Sequence, residues 1–534
     1  MREAVCWRAI ELTFEGSGEH RNPYLDVQVD VIFRGPRGLE ILRPAFWDGD
    51  RTWRVRFAPT RPGHWRYEVR SAEDAALDGA HGALLATDAR GPGAVHHRGF
   101  LRRSADGRHL EHADGTPFFW LGDTHWRFTT EHWDAANKPG WHSWFRGSVD
   151  KRVGQGFTVY QANLMLFDWG ATDSRYFLPG GLFEQPDLAF FREVVDPRMA
   201  YLAERGLVVA LGLGWHQAVD ENLDGVRRFA REVVARYGAY PVVWTLGGEV
   251  AGYKPALRPN RIDRWRQVAR TIQSTDGYDH PRTAHSTTEQ PLAPYYQGED
   301  WLTFTLNQHG HGDRDLSTVH YRDYFAAHPA TPLVEGESFY EGLTSVEYAG
   351  RRTVTDAMVR HVAYRAFQSG CCGYSYGAQG CWNGALEWAE HATTWGDLPW
   401  YEGIDLPGGE QMGHLRRFYE SLPWTQLRPA PCLSSGSGIN DAFYRPDVSA
   451  DASRSTVVLF FSETYHRGVG HAEVFGTQAV PYSVRWFDPR TGVAHRAPDA
   501  LPVGGRLGVP DKPDDRDWLL VLQTVPPTTA RNRI

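Results

Sequence analysis

The sequence predicts a (β/α)8 TIM barrel, an α/β fold, flanked by an amino-terminal and a carboxyl-terminal β-sandwich domain. Three observations carry that expectation. Between residues 99 and 428, eight short apolar runs alternate with helical stretches. In residues 1–98 and 429–534 the helical pattern gives way to alternation with period two. At 534 residues the chain is also too long for a single core.

The amino-terminal segment alternates in "LDVQVDVIFRG" and in "TWRVRFAPTRPGHWRYEVRS", with "GPRG" and "WDGDR" supplying turns. No catalytic constellation occurs in it. The barrel strands are expected at 117–124, 157–164, 207–215, 242–249, 282–286, 301–310, 331–337 and 370–378. Between them lie helices such as "FFREVVDPRMAYLAERG" and "VRRFAREVVARYG", each closed by a glycine as a C-cap would be. A doubly wound open sheet would call for a glycine-rich phosphate loop after the first strand, and "GDTHW" is no such loop. Beyond residue 429, "STVVLFFSET", "YSVRWFDPRTGVAHRA" and "DWLLVLQTV" read as strands, followed by a loose tail, "PPTTARNRI".

Composition narrows the function. Apolar residues make up 41% and charged residues 23%, as in ordinary globular proteins. The net charge of −8 comes without a basic run, which argues against nucleic acid or an anionic membrane as partner. No stretch reaches the roughly 18 apolar residues of a membrane span, and the start has no apolar signal run. Cys6, Cys371, Cys372, Cys381 and Cys432 are odd in number and form no CxxC pair, so the expected setting is a reducing cytoplasm. The thiols of "SGCCGYSYGAQGC" read as small packing residues, and no cofactor is expected. Tryptophan is abundant at 21 residues, and flat aromatic faces suit stacking on sugar rings.

A barrel builds its site from the carboxyl ends of its strands. There the sequence offers Asp123 and His125, Asn163, Trp215 and His216, Glu249, Asn307 and His309, Glu337, and Tyr374, Tyr376 and Gln379. The run "VVWTLGGEV" delivers one carboxylate, Glu249, at the tip of a buried strand. "LVEGESFYEG" supplies the partner: period two puts Glu335 and Glu337 on one face, Glu337 nearer the mouth and Glu335 one layer lower, with Glu341 in the following loop. Glu337 is the favoured nucleophile and Glu335 the competitor. Two carboxylates flanking one scissile bond are the machinery of a glycosidase. Buried salt-bridge partners without catalysis are the structural reading of the same pair. Asp123 suits either helix capping or a sugar hydroxyl. "HGHGD" (His309, His311, Asp313) is the competing metal reading and lacks a spacing such as HExxH; no metal is expected. Trp126, Trp133, Trp141, Trp144, Trp169, Trp215 and Trp382 are expected to wall the mouth into a dead-end pocket for one sugar.

"DGTPFFWLGDTHW", "GFTVYQANL", "VVWTLGGE", "LVEGESFYEG" and "YSYGAQGCW", in this order, resemble glycoside hydrolase family 140, the apiosidase-like barrels. The amino-terminal segment resembles the β-sandwich that often precedes such barrels, and "VRWFDPRTG" the small β domain called a collagen-binding-type domain. The resemblance implies an acid/base at Glu249 and a nucleophile at Glu337. It departs in one place: the family commonly carries "GGD" where this chain has "GGE", which puts the sugar in question. Gly248 also stands where related barrels place an Asn before the acid, so 2-hydroxyl recognition is expected from Asn163 or His216. The expected function is an exo-acting, retaining glycoside hydrolase releasing a terminal monosaccharide, β-apiose first, from a small oligosaccharide or plant glycoside. Another sugar, an arabinofuranoside or rhamnoside, and a non-catalytic carbohydrate-binding protein are the alternatives.

Overall fold

The computed structural model describes the chain apart from residues 1, 92, 130–132, 134–137, 168–172, 289–292, 312–318, 348–349, 387–395, 436–445, 464–472 and 526–534. Trp169, Asp313 and the tail "PPTTARNRI" therefore lie outside the described residues.

At the centre is a nearly closed, seven-stranded parallel sheet. Its strands, in spatial order, are Val242–Gly248, Val208–Trp215, Val159–Asn163, Trp120–His125, Gly373–Tyr376, Leu333–Glu337 and Thr305–Gln308. The two ends of this sheet approach each other through segment 282–286, the fifth of the expected strands. It joins them by two isolated parallel bridges, Trp244 to Arg282 and His285 to Leu306, and not by a continuous ladder. One boundary also moves: Pro117–Phe118 pairs in a small antiparallel sheet with Leu101–Arg103 and Leu110–His112, and the barrel strand begins at Trp120.

Parity along these strands decides which side chains reach the interior. Trp120, Val159, Val208, Ala210, Val243, Leu306 and Val334 pack together inside the sheet. Above them lies a polar layer in which Ser375 Oγ donates to Gln161 Oε1 (2.7 Å) and Gln161 Nε2 donates to the Gly336 carbonyl (2.7 Å). Their neighbours of opposite parity, Leu121, Tyr374 and Tyr376 among them, pack outward against the helices.

The helix at Leu223–Tyr237 starts where the Asn222 side chain accepts from the Gly225 N–H (2.8 Å). Gly206, after helix Asp196–Glu204, takes the expected left-handed turn at φ +77°. Gly238 keeps a right-handed φ of −69° instead. Its lack of a side chain makes room for Arg43, whose Nη1 would lie 2.8 Å from a Cβ there. Arg43 comes from the amino-terminal sheets and donates to the Val234 carbonyl (2.8 Å), so the cap on this helix end is a cation from another part of the chain.

Five-stranded and three-stranded sheets built from residues 2–87 share one apolar core around Trp53, Phe57 and Trp65. Arg56 ties them to the barrel through Asp196 (2.6 Å). Six-stranded and three-stranded sheets from residues 428–524 form another. Val458, Phe460, Phe487, Leu519 and Val521 of the carboxyl-terminal strands join the core of the barrel helices, and Arg360 pairs with Asp517 (3.1 Å). Among the described residues no helix is long and apolar enough to cross a membrane.

Candidate active site

Both strands that present a glutamate are irregular just before it. In Val242–Gly248 the register slips against Val208–Trp215, and Leu246 adopts φ +53°. In Leu333–Glu337 the ladder runs Asn307 to Glu335 and then Gln308 to Glu337, leaving Gly336 unmatched. A bulge of this kind adds one residue and reverses which face the next side chain takes.

The bulge separates Glu335 from Glu337. Leu333 packs with Tyr321, Tyr324 and Cys371 in the helix layer, and Val334 lies in the barrel interior. Glu335 thus points outward, beside His309, whose ring meets Tyr321 of the neighbouring helix. Its Oε1 accepts the backbone N–H groups of Glu337 (3.0 Å) and His309 (3.3 Å). The expectation of two carboxylates stacked on one face is corrected here. Glu335 braces the backbone from behind while Glu337 turns to the mouth.

Glu337 is 5% exposed. His311 Nε2 lies 3.2 Å from its Oε1 and His285 Nε2 3.1 Å from its Oε2. Burial alone would raise its pKa, but the two imidazoles overcome that and bring it down to about 2. Glu337 is therefore a carboxylate at any physiological pH.

Glu249 is half-buried and itself sits at φ +50°. Burial raises its pKa first, and the Glu337 charge raises it further, against hydrogen bonds from Tyr253 and Gln308 and the charge of His285. The Tyr253 hydroxyl donates to Oε1. Gln308, with its amide oriented to satisfy its neighbours, donates to the same Oε1 (3.1 Å) and to the Ser286 carbonyl (3.0 Å). Two donors on one oxygen leave Oε2 as the atom suited to carry a proton.

Among the described residues the aromatic lining is smaller than expected. Trp126, Trp215 and Met165 form one cluster with Trp382 packed against it. Trp126 stands edge-on to Trp215 (5.5 Å) and to His285 (5.3 Å), and its indole N–H donates to the Tyr340 hydroxyl (2.8 Å). Tyr340 in turn meets His311 (4.6 Å) and Trp382 (5.8 Å). Gln379 accepts from the Trp382 indole (2.9 Å) and so fixes it. Gly248 has no side chain because a Cβ there would lie 1.9 Å from the Trp215 ring. Trp133, Trp141 and Trp144 do not join this wall: Trp133 stacks on Phe145, and Trp141 and Trp144 pack on Trp400.

Of the residues expected near the sugar, Asp123, His125, Tyr376 and His309 face the helix layer, while Asn163 and His216 stay at the interior and the rim. Asp123 is buried between Arg152 Nε (2.6 Å) and His125 Nε2 (2.9 Å), and His125 stacks on Tyr160. Arg152 belongs to helix Trp144–Gln155, so this network lies between the sheet and the helices. Tyr376 takes the same side, its ring under Arg152 and its hydroxyl donating to Glu341 Oε2 (2.7 Å). Glu341 also accepts the Gly408 N–H, and burial pushes its pKa up to about 7. Asn163 faces inward, with Nδ2 on the Gly214 carbonyl (3.0 Å) and Oδ1 on the Met165 N–H (2.9 Å). His216 lies at the rim beside Tyr253, where burial brings its pKa down to about 4. His309 and His311 diverge, one toward Glu335 and one toward Glu337. Among the described residues no cluster of three or more His, Cys, Asp or Glu is placed to hold a metal ion.

His285, His311, Tyr340, Gln308 and Tyr253 were not singled out as groups that contact the two glutamates. Gln308 could have been found: it has the interior parity that its neighbours Asn307 and His309 lack.

The chain's architecture is similar to that of a candidate glycoside hydrolase from Bacteroides vulgatus ATCC 8482, at 17% identity and TM-score 0.74 over 98% of this chain and 100% of that one. It is also similar to a glycoside hydrolase family 5 structure from the same organism, at 18% identity and TM-score 0.66 over 80% and 94%. At these identities the likeness speaks to the fold. No curated protein sequence matches the chain. Residues 3–72 match a domain of unknown function, DUF5060. Residues 104–426 match the model of the apiosidase-like catalytic domain. The protein is a glycoside hydrolase. Within that class, the chain belongs to the apiosidase-like catalytic domain family.

Proposed function

We propose that the protein is an exo-acting, retaining glycosidase that releases a terminal monosaccharide, β-apiose first, from a small glycoside or oligosaccharide. One observation carries the mechanism: two carboxyl groups in one electrostatic field have opposite tendencies. Glu337 is held ionised by His285 and His311, and Glu249 is pushed toward its protonated form. That asymmetry supports Glu337 as the nucleophile and Glu249 as the acid.

In the first step a Glu337 oxygen attacks the anomeric carbon. The bond to the leaving oxygen breaks, its electron pair stays on that oxygen, and the Glu249 proton goes to it. In the second step Glu249, now a carboxylate, takes a proton from water. The resulting oxygen attacks the anomeric carbon and frees Glu337. Trp126, Trp215 and Trp382 support a closed end to the pocket and hence a single sugar. The glutamate of "GGE" favours a second sugar reading, an arabinofuranoside or a rhamnoside, because the acid reaches one methylene further than an aspartate would.

A panel of apiosyl, arabinofuranosyl and rhamnosyl glycosides, followed by proton NMR of the first product formed, tests all of this. Monosaccharide released with retained configuration supports the reading; inverted product or internal cleavage of a polymer contradicts it. We also place the enzyme in a reducing compartment, consistent with an odd count of five cysteines without a CxxC pair, four of them buried. Fractionation of producing cells checks that placement, and recovery mainly outside the cell would contradict it.

A further inference from the structure

We infer that Tyr253 and Leu257 build a leaving-group subsite that selects a planar aromatic aglycone, with the Tyr253 hydroxyl also positioning the acid Glu249. The inference rests on the proposed function, since it takes Glu249 as the group that protonates the leaving oxygen.

The carboxylate that delivers a proton to the leaving oxygen must lie beside the leaving group. Whatever touches that carboxylate from the solvent side is therefore within reach of the aglycone. Tyr253 does so: its hydroxyl donates to Glu249 Oε1, yet the residue is 45% exposed. Leu257, 40% exposed, follows four residues later, in the turn that leads into helix Arg258–Thr275, and residues 253–257 are all open to solvent. Both are among the few large apolar residues exposed anywhere in the described chain. Tyr253 touches the acid and Leu257 lies on the same exposed segment, which together offer an apolar shelf outside the sugar pocket. The His216 ring stands edge-on to Tyr253, so the shelf is backed by a second ring. A flat aromatic group can lie on it and bury apolar area without a demanding fit.

The hydroxyl has its own task. Tyr253 and Gln308 both bond Oε1, which turns Oε2 toward the leaving oxygen. Facing Glu249 are Glu337, His285, Tyr253 and Gln308, and of these Tyr253 and Gln308 donate to the carboxylate and so favour its ionised form.

The test uses the full chain and two glycosides of whichever sugar the panel identifies: the benzyl and the methyl glycoside. These alcohols have similar acidity, so their difference reports the ring. The wild type should favour the benzyl glycoside in kcat/KM by about tenfold, the upper end of one aromatic contact. Tyr253→Ala should remove that preference, and Leu257→Ala should reduce it, mainly through KM. Tyr253→Phe should keep the preference but move the basic limb of the pH profile upward, because a donor to the carboxylate is lost. A preference unchanged in Tyr253→Ala, or a basic limb unmoved in Tyr253→Phe, would overturn the inference. A second arm needs no turnover: saturation-transfer NMR with 4-methylumbelliferone should show contact with the wild type and lose it in Tyr253→Ala. Equal signal on both proteins also overturns it. Failure of every sugar in the panel counts against the proposed function alone.

Discussion

Glu335 Oε1 accepts the backbone N–H of Glu337 at 3.0 Å, so one glutamate holds in place the strand end that presents the other. The two sit two residues apart and face opposite ways because Gly336 is unmatched in the ladder. Their variants should behave differently. Glu335→Ala leaves two buried N–H donors without this acceptor and should cost about 1–3 kcal/mol for each, read as a lowered denaturation midpoint. Glu335→Gln keeps an acceptor and should recover much of the loss.

Glu337→Ala should remain folded and lose turnover, with azide restoring part of it by attacking in place of the missing carboxylate. Glu249→Ala should slow substrates with poor leaving groups by roughly 10²–10⁴, the usual worth of general acid catalysis, and spare activated ones. Steady-state rates across leaving groups of graded acidity check this. Near-normal rates in both folded variants would contradict the assignment.

The pH dependence follows from the direction of each shift. Glu337 is brought from its ordinary 4.5 down to about 2, and Glu249 lies above 4.5. Activity should therefore hold far into acid as long as the fold survives, and fall as pH rises through the Glu249 value. His285→Ala removes a group that favours the Glu337 carboxylate and should move the acid limb upward. The same shift affects stability. Between 4.5 and about 2 the folded Glu337 binds fewer protons than the unfolded one. Its contribution is complete above 4.5 and is lost as pH falls toward about 2. Denaturation midpoints of the wild type should show this acid loss, and those of Glu337→Gln should lack that part of it.

Gly248→Ala places a Cβ 1.9 Å from the Trp215 ring. Such overpacking should destabilise by about 1–3 kcal/mol. It should also raise KM, because Trp215 is part of the mouth. Thermal denaturation and saturation kinetics on one preparation report both effects.

Arg56→Ala should loosen the contact between the amino-terminal sheets and the barrel. It removes the partner that holds Asp196 at 2.6 Å, while Arg236 (3.3 Å) and the Tyr237 hydroxyl (2.8 Å) keep that carboxylate compensated, so the cost should be about 1.5–3 kcal/mol, that of a hydrogen bond to a charged group. Limited proteolysis should cut this variant near residue 98 sooner than the wild type.

How much of this was legible in the sequence depends on parity. Strand–helix alternation was strong enough to place seven barrel strands, because burial on both faces writes continuous apolar runs, and alternation with period two marked the half-buried strands of the sheets before and after them. Glu249 and Glu337 were legible as strand-end carboxylates. Asp123, His125 and Tyr376 were chosen for their chemistry, yet they share outward parity with Leu121 and Tyr374 and pack under the helices. The bulges before Glu249 and Glu337 could not be read, since an unmatched residue depends on the partner strand's register. His285 was hidden for a related reason. Its segment pairs with its neighbours through isolated bridges and not through a continuous ladder, so little in the local pattern marks which of its side chains faces Glu337.

In the proposed mechanism Glu337 forms the covalent bond to the sugar. Incubation with a 2-deoxy-2-fluoro glycosyl fluoride of the cleaved sugar, followed by intact-mass and peptide mass spectrometry, tests it most directly. The expected result is an added mass of one fluoroglycosyl group, mapped to Glu337. No adduct on a folded enzyme that turns over its natural glycoside, or an adduct on Glu335 or Glu249, would contradict it.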